Sequence, residues 1–199
     1  MNKIKEIIVG TNNIGKYKEI CHLLPKKIKK YSPNHFNLKS PEETGSTFEE
    51  NSFIKAKYFS KKTGLICISD DSGLEIKLLK GQPGIYSSRW SGEKNNFNLA
   101  IKKIYKMMIE IDKKWEQKNN NANFICSMTL YWPSGKNFTV RGTIKGKISN
   151  KKKGKKGFGY DPIFIPKNYK QTFGQMNPRL KMSIDHRYKA FRKIKNFFI

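Results

Sequence analysis

The chain changes from apolar to acidic within Leu65-Ile66-Cys67-Ile68-Ser69-Asp70-Asp71-Ser72-Gly73. The apolar half predicts a short buried strand that ends at the two aspartates. In an α/β sheet the carboxyl ends of the strands are the usual ligand site, and paired carboxylates there suit Mg²⁺ that carries phosphates. Successive side chains leave a strand on opposite faces, so the two aspartates would have different partners. Asp-Asp-Ser-Gly is also a good turn sequence, so a plain turn is the alternative at this point.

The length and the cysteines restrict the class of protein. A chain of 199 residues fits one domain, and we expect a single domain over residues 1–199. The three cysteines are odd in number and widely spaced, which argues against a disulfide framework or a zinc cluster. No apolar run approaches the ~20 residues that a membrane helix needs. We therefore expect a reduced, cytoplasmic protein without a membrane partner.

The formal net charge is +26, from 41 Lys and Arg against 15 Asp and Glu. Such a charge suggests a nucleic acid or another polyanion as a partner. The excess is almost all lysine, whereas recognition of phosphates and bases tends to favour the planar guanidinium of arginine. Lysines spread over the whole length are typical of a solvated surface, and coding bias also produces them. A basic nucleic-acid-binding module is thus an alternative, and we expect no specific nucleic-acid partner.

Hydrophobic periodicity and capping signals predict alternating strands and helices. Strands are predicted at residues 4–10, 27–31 with 36–38, 65–68, 74–78, 122–132 and 138–148. Helices are predicted at residues 17–24, from Thr47 to Gly64, at residues 97–111 and at residues 187–198. Residues 81–92 read as turns, and residues 150–157 as a basic loop. These elements predict an α/β fold, with a central mixed sheet flanked by helices.

A second candidate site is the loop Thr11-Asn12-Asn13-Ile14-Gly15-Lys16 between the first predicted strand and helix. A helix N-terminus presents unpaired N–H groups and the positive end of the helix dipole, so this loop could bind a phosphate chain. It is not a P-loop, because a single Gly-Lys is present and no hydroxyl residue follows it. On its own, ordinary helix capping explains the loop equally well.

Further motifs accompany these two in a definite order along the chain. They are Glu42-Glu43-Thr44-Gly45, Glu50-Asn51 with Lys55, Pro83-Gly84-Ile85-Tyr86-Ser87-Ser88-Arg89, Gly157-Phe158-Gly159-Tyr160-Asp161-Pro162-Ile163-Phe164, and His186-Arg187. Together, their order and spacing closely resemble the noncanonical purine nucleoside triphosphate pyrophosphatases, the inosine/xanthosine triphosphatase family. The resemblance spans essentially the whole chain, and it favours a functional site at the aspartates over a plain turn.

The resemblance implies a fold, an assembly and an activity. The family's form is an elongated two-lobed molecule with its substrate in a cleft, and it is usually a homodimer. Its members require Mg²⁺ and hydrolyse ITP, dITP and XTP between the α and β phosphates, giving the monophosphate and pyrophosphate. This keeps deaminated purines out of DNA and RNA. A nucleotide-binding sensor, or a broad triphosphatase that releases orthophosphate, is the alternative on the same scaffold.

The resemblance also implies roles for individual residues. The triphosphate would be bound by Thr11, Asn12, Asn13, Ile14, Gly15, Lys16 and Lys55. Glu42 and Asp71 would hold Mg²⁺, and Asp71 would be the general base for the attacking water. Asp70 would support the metal or a lysine, and Ser72 would contact the substrate. The base would be bound by Phe158, Gly159, Tyr160, Asp161, Lys181, His186 and Arg187, where donors to the C6 carbonyl would disfavour adenine.

One position departs from the family pattern. Relatives usually have Ser-His-Arg where this chain has Asp185-His186-Arg187. We expect Asp185 to pair with Arg187 or a nearby lysine and to leave substrate selectivity unchanged. The alternative is that its carboxylate accepts a proton from N1–H or a 2-amino group, which would admit GTP.

Overall fold

A computed structural model describes residues 4–92 and 96–198. Within these ranges the strands are β1 (Glu6–Val9), β2 (Lys29–Tyr31), β3 (Cys67–Ile76), β4 (Asn121–Tyr131), β5 (Asn137–Ile148) and β6 (Phe164–Pro166). The α-helices are α1 (Ile14–Leu23), α2 (Phe48–Thr63), α3 (Phe97–Ile111), α4 (Trp115–Lys118), α5 (Pro178–Ile184) and α6 (His186–Phe191). Short 3₁₀ turns lie between them, and two of these, Gly84–Tyr86 and Arg89–Ser91, fall within the predicted turn region 81–92.

The strands form a six-stranded sheet in the order β2-β1-β3-β4-β5-β6. Strand β1 is parallel to both β2 and β3, and β5 is antiparallel to β6. The parallel connections pass through α1 and α2, as βαβ units require. The predicted α/β fold with a mixed sheet is confirmed.

The chain divides into two compact units. The first unit consists of Met1–Asp71, Cys126–Gly142 and His186–Ile199, and the second of Ser72–Ile125 and Thr143–Asp185. Each has its own hydrophobic core. In the first unit, Ile7 and Val9 pack into one cluster and Ile8 into another, as the alternation of side chains along a strand requires. In the second, the core gathers around α3 and the rings of Phe124 and Phe164.

The predicted strand end at the aspartates is wrong. Strand β3 is one ten-residue strand that runs through Asp70 and Asp71, and most of its residues are buried. It replaces the two strands predicted at residues 65–68 and 74–78. The local turn preference of Asp-Asp-Ser-Gly is overridden because cationic side chains from other elements lie beside both carboxylates.

The helix signals have mixed outcomes. Thr47 Oγ1 accepts a hydrogen bond from Glu50 N at 3.1 Å, and Gly64 ends α2 with φ 69°, so the predicted cap and stop are confirmed. The predicted strand at residues 36–38 is wrong, because Pro33–Phe36 forms a 3₁₀ turn. The predicted helix at residues 187–198 is also wrong: α6 ends at Phe191 and a 3₁₀ turn follows at Lys195–Phe198.

The described ranges contain no helix that is both long enough and apolar enough to cross a bilayer. None of Cys21, Cys67 and Cys126 forms a disulfide.

Candidate active site

The loop between β1 and α1 is fixed by its own side chains. Asn13 is the N-cap of α1, and its Oδ1 accepts a hydrogen bond from Lys16 N at 3.0 Å. Thr11 is buried, and its Oγ1 accepts from Asn13 N at 3.2 Å. Asn12 donates to Asn34 Oδ1 at 3.0 Å, whereas the Ile14 side chain is exposed. The first turn of α1 therefore holds Lys16 in place, as an anion-binding helix terminus requires.

Lys16 lies between the two aspartates of β3. Its Nζ is 3.6 Å from Asp70 Oδ2 and 3.9 Å from Asp71 Oδ1. Both aspartates are buried, and their remaining partners differ because the two side chains leave the strand on opposite faces. The predicted difference in their surroundings is confirmed.

Asp71 faces residues of α2. Lys55 Nζ lies 3.5 Å from Asp71 Oδ1, and Asn51 Nδ2 donates to Asp71 Oδ2 at 3.3 Å. The Asn51 amide also accepts from Gly45 N at 2.8 Å, so it ties the segment before α2 to β3. Asn51 appeared in the sequence only as part of a motif, and sequence reasoning gave it no role.

The acidic residue that joins this cluster is Glu43. Its carboxylate forms an ion pair with the buried Lys55, whereas the expected ligand Glu42 is exposed. The two glutamates are adjacent in sequence, so the motif could not decide between them. The segment that carries both glutamates is held in front of α2, where Ser46 N donates to Glu50 Oε2 at 2.6 Å.

Burial and charge act together on the titrating groups. Burial raises the pKa of Asp71; Lys55 and Lys16 oppose this shift, while Glu43 and Asp70 add to it. Burial lowers the pKa of Lys55, but the attraction of Asp71, Glu43 and Asp70 outweighs it, so the pKa of Lys55 is raised overall. Lys55 is therefore a charged lysine beside a carboxylate with an increased affinity for protons.

Asp70 faces Arg187 at the start of α6. Arg187 Nε donates to Asp70 Oδ2 at 3.1 Å, and Nη1 donates to Glu19 Oε2 at 2.7 Å. Glu19 and Arg187 are both buried. Cys126 Sγ lies 3.9 Å from Asp70 Oδ2. Sequence reasoning missed Glu19, because a single acid on a helix usually faces solvent.

In the second unit, Asp161 organises the residues predicted to bind the base. Its Oδ2 accepts from Phe158 N at 2.8 Å and from Lys181 Nζ at 2.6 Å. Lys181 is buried, and its Nζ lies 4.9 Å from the centre of the Phe158 ring. Gly157 has φ 74°, and a Cβ there would overlap the Asp161 carboxylate. The structure thus brings Phe158, Asp161 and Lys181 together.

Tyr160 belongs to the core of the second unit. Its ring is buried edge-on against Phe97, with 5.2 Å between the centroids, and its hydroxyl donates to Ser87 O at 2.8 Å. Burial raises the pKa of this phenol. Gly159 and Ser72 are half-buried. These contacts give Tyr160 a structural role beside Phe158.

His186 and Arg187 begin α6, and both are buried. A Cβ on Gly142 would overlap the carbonyl of His186, so this glycine lets β5 approach α6 closely. Asp185 immediately precedes them, is buried, and is the C-cap of α5: its backbone is extended (φ −71°, ψ 178°) and its N–H donates to Lys181 O at 3.0 Å.

Two carboxylates of the first unit are candidate metal ligands. In the part of the chain that the structure describes, no three His, Cys, Asp or Glu side chains are grouped to hold a metal ion. Asp71 and Glu43, which share Lys55, are two hard oxygen donors. Mg²⁺ is commonly held by one or two carboxylates together with waters and substrate phosphates, so this donor pair fits Mg²⁺.

Comparison with known proteins agrees with the motifs. The chain matches the Ham1 family over residues 7–197. The dITP/XTP pyrophosphatase of Rhodospirillum centenum is 36% identical over 189 residues, which cover 94% of this chain and 92% of that protein. The enzyme of the same name from Bacillus licheniformis is 38% identical over 200 residues, covering 96% of each.

Solved structures give the same result. The HAM1 protein of Coxiella burnetii has a TM-score of 0.85 and 34% identity over 96% of both chains. The Ham1 protein of Staphylococcus aureus has a TM-score of 0.83 and 33% identity over 97% of both. The resemblance inferred from the motifs is confirmed: this chain belongs to the Ham1 family.

Proposed function

We propose that this protein hydrolyses the noncanonical purine nucleoside triphosphates ITP, dITP and XTP between the α and β phosphates. The products are the nucleoside monophosphate and pyrophosphate, and the reaction keeps these nucleotides out of DNA and RNA. The observation that carries the proposal is the buried Asp71, placed between Lys55, Lys16 and Asn51. Relatives over nearly the whole chain are named dITP/XTP pyrophosphatases, which supports it.

The charges of the first unit's cluster favour a cation together with a polyphosphate. In this described cluster, four carboxylates face three cationic side chains: Glu19, Glu43, Asp70 and Asp71 face Lys16, Lys55 and Arg187. The cluster is therefore short of positive charge before an anionic substrate arrives. A divalent cation removes this deficit.

We place Mg²⁺ at Asp71 and Glu43, in the role that the family pattern suggested for Glu42. When bound, Mg²⁺ supplies charge neutralisation at the phosphate oxygens. Lys55 remains charged beside it and can contact the same oxygens. Lys16 reaches both aspartates only at 3.6 and 3.9 Å, so its ammonium group can turn to a phosphate at small cost.

The attacking water gives its proton to Asp71. Burial raises the pKa of this carboxylate, which brings a general base closer to the pH at which it works. As the water oxygen bonds to phosphorus, the bridging bond between the α and β phosphates breaks, and pyrophosphate leaves with the electron pair. Arg187 and Glu19 hold Asp70 during this step.

We assign the base to the second unit's cluster of Phe158, Asp161 and Lys181. The Phe158 ring can stack on any purine, so stacking cannot select between them. Selection needs donors to the C6 carbonyl of hypoxanthine or xanthine, such as the Lys181 ammonium. Adenine has an amino group at that position, and an unmatched buried donor rejects the wrong base by about 10⁴-fold.

Two further proposals complete the function. We propose a homodimer, which rests on the family resemblance, and a cytoplasmic location, which the absence of a disulfide among Cys21, Cys67 and Cys126 supports. Size-exclusion chromatography with light scattering tests the first. Fractionation of the source cells tests the second.

The experiment is product analysis with Mg²⁺ and ITP, dITP, XTP, GTP or ATP in parallel. We expect monophosphate and pyrophosphate from the first three, and a loss of about 10²- to 10⁴-fold in Asp71→Asn because a general base is removed. Glu110→Gln, at an exposed position of α3, is the control and should keep full activity. Orthophosphate released alike from every nucleotide would indicate a broad triphosphatase, and no hydrolysis would leave a binding protein.

A further inference from the structure

A basic groove lies on the second unit, on the surface where β5 meets β6. Two adjoining concavities form it, of about 390 and 430 Å³, and they share Asn121, Lys145 and Gly146. The first is also lined by Lys77 and Glu75. The second is also lined by Lys147, Lys167, Asn168 and Tyr169. None of these residues belongs to the proposed catalytic or base-binding clusters.

Four exposed lysines line this groove against a single acid. Lys77, Lys145, Lys147 and Lys167 are all exposed, and none of them has an ion-pair partner in the described part of the chain. By contrast, Lys106 on α3 is compensated by Glu110, whose Oε1 lies 3.9 Å from its Nζ. The groove is therefore a local concentration of uncompensated positive charge.

The register of the strands brings these charges close together. Gly146 pairs with Pro166, and Lys167 N donates to Lys145 O at 2.8 Å, so Lys145 and Lys167 face each other across the ladder. Like charges directly opposite in an antiparallel pair destabilise a sheet. A bound polyanion would relieve that repulsion. Lys145 and Lys147 lie two residues apart on one face, about 7 Å along the strand.

An aromatic ring stands at one end of the groove. Tyr169 is 37% exposed, and its N–H donates to Pro166 O at 3.1 Å in the turn after β6. Asn168 has φ 71°, a conformation that asparagine tolerates, and it fixes this turn. Lysines along a groove with an exposed aromatic side chain are the arrangement that binds single-stranded nucleic acid without sequence preference.

We propose that this groove binds single-stranded nucleic acid, with Lys77, Lys145, Lys147 and Lys167 on the phosphates and Tyr169 stacked on a base. Binding is independent of sequence and falls with salt, because lysines contact the backbone alone. The proposal is separate from the hydrolytic function, since it uses none of the same residues. Lys167, which directly follows the short edge strand β6, can also protect that edge from pairing with another chain.

The test uses a fluorescein-labelled oligothymidylate and fluorescence anisotropy at several salt concentrations. The groove variant replaces Lys77, Lys145, Lys147 and Lys167 with glutamine. The matched control replaces Lys26, Lys27, Lys62 and Lys195, which are also exposed and lie in the first unit. Both variants lose the same net charge, so they separate a local site from general attraction.

We expect the groove variant to lose about tenfold or more in affinity at moderate salt, while the control stays near wild type. The slope of log K against log salt should become shallower by about 3, since each phosphate contact contributes about 0.7 for single strands. Tyr169→Ala should weaken binding by about fivefold or more and Tyr169→Phe should not, because stacking needs only the ring. All variants should hydrolyse ITP at the wild-type rate.

Several results would overturn the proposal. One is an equal loss of affinity in the groove and control variants. Another is tighter binding of duplex than of single strands. A third is displacement of the oligonucleotide by polyglutamate at equal charge. Aggregation of the groove variant with unchanged affinity would leave edge protection as the only role of the lysines. If the fourfold variant does not fold, the pair Lys145→Gln and Lys147→Gln should still lose affinity and about half of the change in salt slope.

Discussion

Arg187 Nη1 lies 2.7 Å from Glu19 Oε2, so a buried ion pair joins the last α-helix to the first. The same guanidinium donates through Nε to Asp70 at 3.1 Å. The guanidinium therefore neutralises the charge of Asp70, so this carboxylate attracts Lys16 less strongly. Glu19 keeps the guanidinium in this orientation, although it has no proposed contact with the substrate.

Glu19→Gln should lower the free energy of unfolding by about 3 kcal/mol, because one partner of a buried ion pair loses its charge. Urea denaturation measures it. Glu110→Gln removes an exposed partner of Lys106 at i,i+4 and should cost only about 0.5 kcal/mol or less. Similar costs for the two variants would contradict the role given to Glu19.

Glu43→Gln should raise the Mg²⁺ concentration needed for half-maximal ITP hydrolysis by about tenfold or more, because one carboxylate of the donor pair is lost. Glu42→Gln, at the neighbouring exposed position, should leave it unchanged. Titration of activity with Mg²⁺ decides between the two residues. A larger effect at Glu42 would return the ligand role to that residue.

Gly157→Ala should disrupt the loop that carries Phe158, because its Cβ would overlap the Asp161 carboxylate. We expect a rise in KM for ITP and a loss of at least about 2 kcal/mol of stability. Gly135→Ala is the matched control: its φ is also positive at 97°, but the nearest atom to its Cβ would be Tyr131 Oη at 3.9 Å. It should cost about 1 kcal/mol and leave KM unchanged.

Asp185→Ser should leave the ratio of ITP to GTP hydrolysis unchanged, because we expect the buried Asp185 carboxylate to pair with cationic groups of the protein and not with the base. Asp185→Ala should lower the free energy of unfolding by about 1 to 3 kcal/mol, because it removes a buried carboxylate that has polar partners. Steady-state kinetics with both nucleotides and thermal unfolding measure the two effects. A GTP rate that falls selectively in Asp185→Ser would mean that this carboxylate contacts the base.

Stability should fall as the pH rises above about 9, the ordinary range for thiol ionisation. Burial raises the pKa of Cys67, Tyr105 and Tyr160 in the folded protein. The unfolded chain therefore loses these protons first, so their contribution is full below the unfolded pKa and is lost as the pH rises. Each group makes the free energy of unfolding fall with pH by up to about 1.4 kcal/mol per pH unit.

Urea unfolding from pH 8 to 11 measures this slope. Cys67→Ala should make this slope shallower by up to about 1.4 kcal/mol per pH unit, since the unfolded state of the variant has one thiol fewer to ionise. Parallel slopes for the variant and the wild type would mean that the Cys67 thiol does not contribute.

The parts of the fold that the sequence predicts are those determined by nearby residues. Thr47 and Gly64 set the ends of α2 with their own side chain and backbone, and the strong apolar periodicity of α3 gives its bounds as Phe97–Ile111. Strand β3 was predicted incorrectly because its continuity depends on distant cations. The charges of Asp70 and Asp71 are neutralised by Lys16, Lys55 and Arg187, and without them the local sequence favours a turn.

The candidate site likewise has residues that the sequence predicts and residues that depend on distant contacts. Asp71, Lys55 and Lys16 follow from motif order, and the structure places them together. Glu19 could not be predicted, since its partner lies 168 positions away in sequence. Glu43 could not be distinguished from Glu42, because the two are adjacent in sequence and differ in a contact with Lys55 that only the structure shows.

The position of Asp70 and Asp71 within a continuous strand makes this segment sensitive to its length. In β3 each residue alternates between two faces, so deleting or inserting one residue between Cys67 and Asp70 would exchange the faces of the two carboxylates. Asp71 would then point toward Arg187, and Asp70 toward Lys55. A frame-preserving loss of a single codon here should abolish activity even though both aspartates remain.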